Sequence, residues 1–242
     1  MLAGVWFCYM TFGLSMASLA PLVREIESDL DFSHSAMGTV LGAWQFVYIF
    51  AAIPCGILLD RIGARWGLAI GALIIGLSGI FRGFAEEYID LLIAVALFGL
   101  GGPLISAGAP KVVSERFEGK DRGLAMGIYI TGPGIGAVTA LLLTQPLILP
   151  WLEGNWRALL QIWGGVSLAA GLFWLLVAKE SPRTPDSIEG QSIMSGLVEL
   201  LRIPAVRVIL LMSVAVFSIN HGMGNWLVEI LQSFGADASR AS

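Results

Sequence analysis

Charge is scarce in this chain: Asp, Glu, Lys and Arg make up only 13% of its 242 residues, against 56% apolar residues and a mean hydropathy of +0.79. Soluble domains carry about 25% charged residues, so the composition excludes an ordinary water-soluble globule and describes a chain whose solvent is lipid. The net charge of −4 gives no basic footprint for nucleic acid. Cysteine and histidine are also scarce, two of each. Cys8 and Cys55 fall in apolar runs at different depths, which argues against a disulfide or a metal site and leaves them as small buried hydrophobes. No basic leader with a small-residue cleavage site precedes the first apolar run, so the first helix is expected to serve as its own targeting signal.

What the chain has is long apolar runs. A membrane span needs about 20 mostly apolar residues, and seven runs qualify, near 4–22, 36–59, 66–84, 89–110, 123–145, 157–178 and 206–227. None shows the alternation of a membrane barrel, so all are expected to be helices whose backbone groups bond within their own segment. Ser33 or Ser35, Asp121 and Asn155 are placed to cap the second, fifth and sixth of them. The sixth, apolar throughout, is expected to face lipid, and the fourth, with its glycines and prolines, is not expected to be straight. Placed on alternate faces, ten of the fourteen basic residues, Arg61, Arg65, Lys111, Arg116, Lys120, Arg122, Lys179, Arg183, Arg202 and Arg207, fall on one side. Only Arg24, Arg82, Arg157 and Arg240 fall on the other, so the richer side, with the N-terminus, is expected to be cytoplasmic.

The turn between the second and third runs reads Gly56-Ile57-Leu58-Leu59-Asp60-Arg61-Ile62-Gly63-Ala64-Arg65. Charged residues cost roughly 2.5–3.5 kcal/mol each at the bilayer centre, which pins this turn to a membrane face. Its pattern, G-x-L-x-D-R-x-G-x-R after two spans, resembles the signature loop of the major facilitator superfamily of secondary transporters, with Ala64 where that family often has a second basic residue. Gly132, Pro133, Gly134 and Gly136 resemble the glycine-proline signature of its fifth helix, and the wording from Gly99 to Gly136 is similar to the cyanate-permease-like and oxalate/formate-like groups. Proline inside a helix removes one hydrogen bond, so Gly132 to Gly136 is expected to form a hinge.

The resemblance implies an all-α integral membrane fold: a six-helix bundle over 1–178, a cytoplasmic linker over 179–205 containing a short amphipathic piece from Ile193, and a seventh helix with an outer loop over 206–242. It also implies a fragment of a twelve-helix protein in a plasma membrane, the bacterial inner membrane. Its partners would be the lipid bilayer, a small solute and a missing C-terminal half. Function would be transport of a small solute, such as a small organic or inorganic anion, by alternating access as a secondary active transporter or exchanger, without metal, cofactor or enzymatic activity. The first, second, fourth, fifth and seventh helices would line the cavity, making Tyr9, Trp44, Gln45, Tyr48, Ser106, Tyr129, Asn220 and His221 candidate substrate contacts. Gly56, Asp60, Arg61, Gly63 and Arg65 would form a cytoplasmic gate.

Each of these has a structural alternative. The aromatics can be packing or interfacial residues, the reading preferred for Trp151 and Trp226. His221 can be a neutral imidazole bonded across helices or a proton carrier, and His34 is expected to be solvated. The spans hold no Asp, Glu, Lys or Arg in their central parts, whereas proton relays usually need one. Two other functions fit less well: a membrane sensor or complex subunit on the same fold, and an intramembrane serine protease built on Gly76-Leu77-Ser78-Gly79.

Overall fold

The computed structural model describes residues 1–179 and 193–234. Its elements are α1 (Leu2–Ala17), α2 (Val23–Leu30), α3 (His34–Arg82), α4 (Tyr88–Arg116), α5 (Gly119–Tyr129), α6 (Thr131–Leu143), α7 (Leu149–Trp151), α8 (Trp156–Val177), α9 (Ile193–Arg202) and α10 (Pro204–Ser233). No strand occurs among the described residues. The polar stretch from Glu180 to Ser187, read as a linker, lies outside them, as does the loop after Phe234.

Six helical stretches are long and apolar enough to cross a membrane. One of them, α3, holds 49 residues. Drawn out straight it would measure about 73 Å, more than twice the ~30 Å of hydrocarbon. It is not one rod. Gly63 leaves helical geometry at φ 79° and ψ 163°, a region that is essentially glycine-only, and the helix doubles back there. Divided at Gly63, α3 supplies two crossings and the seven expected from hydropathy are all present. Connectivity gives the molecule a motif face, with the turn at 60–65 and the segment 111–122, and a far face, with 20–33, 84–87 and 150–155.

Small residues let the backbones approach. Gly71 on the second arm of α3 packs on Ile105 and the Gly101 carbonyl of α4, while Gly76 and Gly79 pack on Gly164 of α8. At the α1–α6 contact a Cβ on Gly13 would collide with the Pro133 backbone, and one on Gly136 with the Met10 carbonyl.

Several local expectations meet corrections. Ser33 and Asn155 do cap α3 and α8, accepting from the amides of Ala36 and Ala158. The N-cap of α5, however, is Glu118, and Asp121 sits in the first turn, where its charge suits the helix dipole. Despite its glycines and prolines, α4 runs unbroken through Pro103 and Pro110. The sixth span was expected to face lipid, but α8 buries Leu159, Trp163, Ser167, Ala170 and Trp174 against α1 and α3. Its apolar sequence hid that face because lipid and core are equally apolar. Cys8 is buried, as expected, and Cys55 only half-buried.

The fifth span is interrupted at Ile130, between α5 and α6. Pro133 accounts for the break: it has no N–H for the Tyr129 carbonyl one turn earlier. Gly132 and Gly136, within the expected hinge, stand in close contact with the α1 backbone.

Candidate functional site

A cavity of about 220 Å³ lies among α1, the first arm of α3, α4 and α10. Tyr9, Phe12 and Met16 enter from α1, Trp44, Gln45, Tyr48 and Ile49 from α3, Ser106 from α4, and Phe217 and His221 from α10. Helical spacing sets these groups: positions 9, 12 and 16, and 44, 45 and 48, fall on one face of their helices. Six of the eight sequence-derived candidates therefore meet in one place.

Inside it, the Tyr48 and Ser106 hydroxyls share a hydrogen bond of 2.6 Å. Trp44 stands edge-on to Tyr48 at 6.1 Å, to Phe98 at 5.3 Å and to His221 at 5.3 Å between ring centroids. Gln45 Oε1 is buried and has no hydrogen-bond partner among the described residues. None of the ten lining residues is Asp, Glu, Lys or Arg.

The other two candidates fall elsewhere. Tyr129 is buried behind the wall, stacked on Tyr9 at 5.6 Å. Asn220 is exposed and donates to the Val216 carbonyl of its own helix, so it does not join the cavity. Phe12, Met16, Ile49 and Phe217 were missed because nothing distinguishes an apolar cavity wall from an apolar core in sequence. His221 meets aromatic rings, Trp44 and Phe217.

At the motif face Asp60 accepts from Lys111 of α4 at 2.5 Å. Lys111 had been read only as a topology signal. Arg61 is exposed, and Arg65 donates to the Leu175 carbonyl of α8, while the Arg65 carbonyl accepts from the Trp174 indole. A Cβ on Gly56 would meet nothing within 4 Å, so that position is not crowded.

At the far face Arg24 pairs with Glu229 through two nitrogens, at 2.9 and 3.0 Å, tying the segment after α1 to α10. His34 is not merely solvated: it bonds Glu27 at 2.8 Å and packs on the Trp226 ring at 4.5 Å. Arg157 pairs with Asp29, and Gln145 donates to Glu25. In α10, residues 207–220 are exposed, and contact with the bundle is concentrated in the far-face half.

Arg82 was counted among the basic residues of the far face, close to the end of its run. Instead it is buried, donating to the Ser15 carbonyl at 2.9 Å and the Ser18 hydroxyl at 3.2 Å, with its guanidinium 5.5 Å from the Phe98 ring. Ser78 is likewise buried and donates to the Ala94 carbonyl, a packing role rather than that of a nucleophile. Among the described residues no three His, Cys, Asp or Glu side chains gather to hold a metal.

A family model for the Major Facilitator Superfamily matches residues 5–242. The chain is 26% identical over 186 residues to the D-galactonate transporter of Escherichia coli O6:H1, covering 76% of this chain and 41% of that protein. It is 30% identical over 188 residues to the probable 4-methylmuconolactone transporter of Cupriavidus pinatubonensis, covering 76% and 41%. A bacterial homolog of the human lysosomal transporter Spinster, in an inward-facing, unoccupied conformation, superposes with a TM-score of 0.81 at 19% identity, covering 99% of this chain and 57% of that one. The chain thus spans about half the length of the proteins it matches.

Proposed function

This chain belongs to the Major Facilitator Superfamily, and from that premise we propose that it forms one side of the solute pathway of a transporter for a small organic solute, working by alternating access. The observation that carries the reading is the cavity. Residues from four helices that are distant in sequence converge on one space between the middle parts of those helices, the kind of place where a transporter built from two repeats holds its solute. Two relatives bear the names of transporters for small organic compounds, D-galactonate and 4-methylmuconolactone. Uptake of radiolabelled solutes into proteoliposomes, by the protein expressed from its complete reading frame, tests the proposal; a protein that inserts and moves nothing refutes it.

The same reading assigns the motif face to the cytoplasm of a plasma membrane, by the excess of basic residues there. It takes 1–178 as one bundle, 179–205 as a linker and 206–242 as the start of a second unit. Asp60 and Lys111 then act in the cytoplasmic gate. Their pair is partly exposed, with 57% and 29% of the side chains accessible, so it contributes at most about 1 kcal/mol to stability. Asp60→Asn is expected to leave insertion and unfolding temperature unchanged and to slow uptake several-fold. Unchanged uptake by the correctly inserted variant would remove Asp60 from the gate.

Arg24 and Glu229 hold the far face closed in this reading. The pair is bidentate but half exposed at Arg24, so its loss is expected to change an opening equilibrium only modestly, by roughly fivefold. Trp226 lies over Gly38, 3.5 Å from where a Cβ would stand. In a background without Cys8 and Cys55, a cysteine at Gly38 is expected to react about fivefold faster with a soluble maleimide when Arg24→Glu is added. Combining Arg24→Glu with Glu229→Arg should return the slow rate; failure of that restoration would mean the two do not act as a pair.

A further inference from the structure

The walls of the cavity say more about the solute than that it is small. Six of the ten lining residues carry rings, and five of them, Tyr9, Phe12, Trp44, Phe217 and His221, are each held by a neighbouring ring at 4.7–5.8 Å. Rings fixed in this way present flat apolar faces and positive edges to whatever enters, which favours another flat ring in offset or edge-on contact.

The polar groups of the same wall are mostly the tips of its rings. The Tyr48 and Ser106 hydroxyls satisfy each other, and Ser106 also reaches the Pro103 carbonyl. The Tyr9 hydroxyl, the Trp44 indole N–H and the His221 imidazole also line the space, as does Gln45, whose amide oxygen is enclosed and unpartnered among the described residues. An open polyhydroxylated chain has no flat face to set against these rings.

Fixed charge is remote. The pairs Asp60–Lys111 and Arg24–Glu229 stand at opposite faces of the molecule, and Arg82 is separated from the cavity by Phe98, which stacks on Phe12 and meets Trp44 edge-on. On this wall only a protonated His221 could meet a carboxylate with opposite charge. Size agrees with a ring: an apolar cavity of about 150 Å³ is enough for benzene, and this one has about 220 Å³, which leaves room for one substituent.

Building on the transport reading above, we propose that the part of the solute meeting this wall is a flat, largely apolar ring, so that the solute class is aromatic or cyclic unsaturated compounds rather than open-chain polyhydroxy acids. Stacking against the fixed rings supplies the affinity. Any charge on the solute points away from these residues.

The test is thermal unfolding of the purified full chain in detergent, with benzamide, benzoate and gluconate compared at equal millimolar concentrations. Ligands that bind only the folded state raise the unfolding temperature with concentration. Benzamide and benzoate are expected to do so, and gluconate is not. Trp44→Ala should abolish both shifts, and Tyr9→Leu serves as a second wall variant if Trp44→Ala does not fold. A gluconate shift equal to the ring compounds, or no shift with any ring compound, overturns the ring assignment. Uptake by the complete protein is measured in parallel. Gluconate uptake insensitive to benzamide would overturn the ring and leave transport standing, whereas ring binding with no uptake of any solute would do the reverse.

Discussion

Gly136→Leu is expected to leave no folded, monodisperse protein after detergent extraction. The reason lies in what surrounds the position. A Cβ at Gly136 would run into the Met10 carbonyl and stand 2.7 Å from the Leu14 amide nitrogen, and both are backbone atoms of α1. A flexible side chain could rotate aside; a helix cannot. To admit leucine, α6 would have to move away from α1 along a contact that Gly13 and Pro133 close from the other direction. Overpacking of a tight interior costs typically 1–3 kcal/mol and occasionally more, and a rigid backbone contact places this case at the upper end, about 3 kcal/mol or above. Size-exclusion chromatography with fluorescence detection reads the outcome. Gly134→Ala, where a Cβ would meet nothing within 4 Å, is the control and should stay within about 0.5 kcal/mol of the parent. A Gly136→Leu protein that elutes and melts like the parent would show that the two helices are not in the contact described.

Arg82→Ala is the second large effect. Arg82 lies where α1 ends at Ala17, and the last carbonyls of a helix have no partner in their own helix. The guanidinium donates to one of them, Ser15, and to the Ser18 hydroxyl, which itself donates to the same carbonyl. A cation at the negative end of a helix is stabilised by the dipole, which offsets part of the desolvation of a buried charge. Truncation to alanine removes charge-assisted bonds worth about 1.5–3 kcal/mol and leaves a void beside Phe98, so a loss of about 3 kcal/mol is expected. Arg82→Met separates the two contributions. It refills the space without the charge and should lose about 1–2 kcal/mol, since the Ser18 hydroxyl still serves the carbonyl. If methionine restores full stability in thermal unfolding, Arg82 only fills space and the capping account fails.

Hydropathy made the crossings legible because length and apolarity are properties of the segment alone, and the glycine turn at Gly63 was readable for the same reason. The cavity was partly legible: polar and aromatic groups within spans are few enough that Tyr9, Gln45, Tyr48, Ser106 and His221 stood out, and they do gather at one place. Asn220 stood out equally and lies off the cavity, because one step along a helix turns a side chain by about 100°. Partnerships were not legible. Nothing in the local sequence pairs Arg24 with Glu229, 205 residues away, or turns Arg82 from a surface charge into an interior one. The sixth helix was misread because a wholly apolar segment looks the same against lipid as against another helix.

The reversal at Gly63 bears on how the protein is made. The two arms of α3 are joined by a single non-helical residue, and Leu59 of one arm already packs over Gly67 of the other. A connection this short cannot lie stretched along the membrane surface while its second arm waits to be synthesised. The arms are therefore expected to insert as one hairpin, with Asp60 and Arg61 at its tip. Lengthening that tip would uncouple the two insertions before it altered any contact in the finished protein.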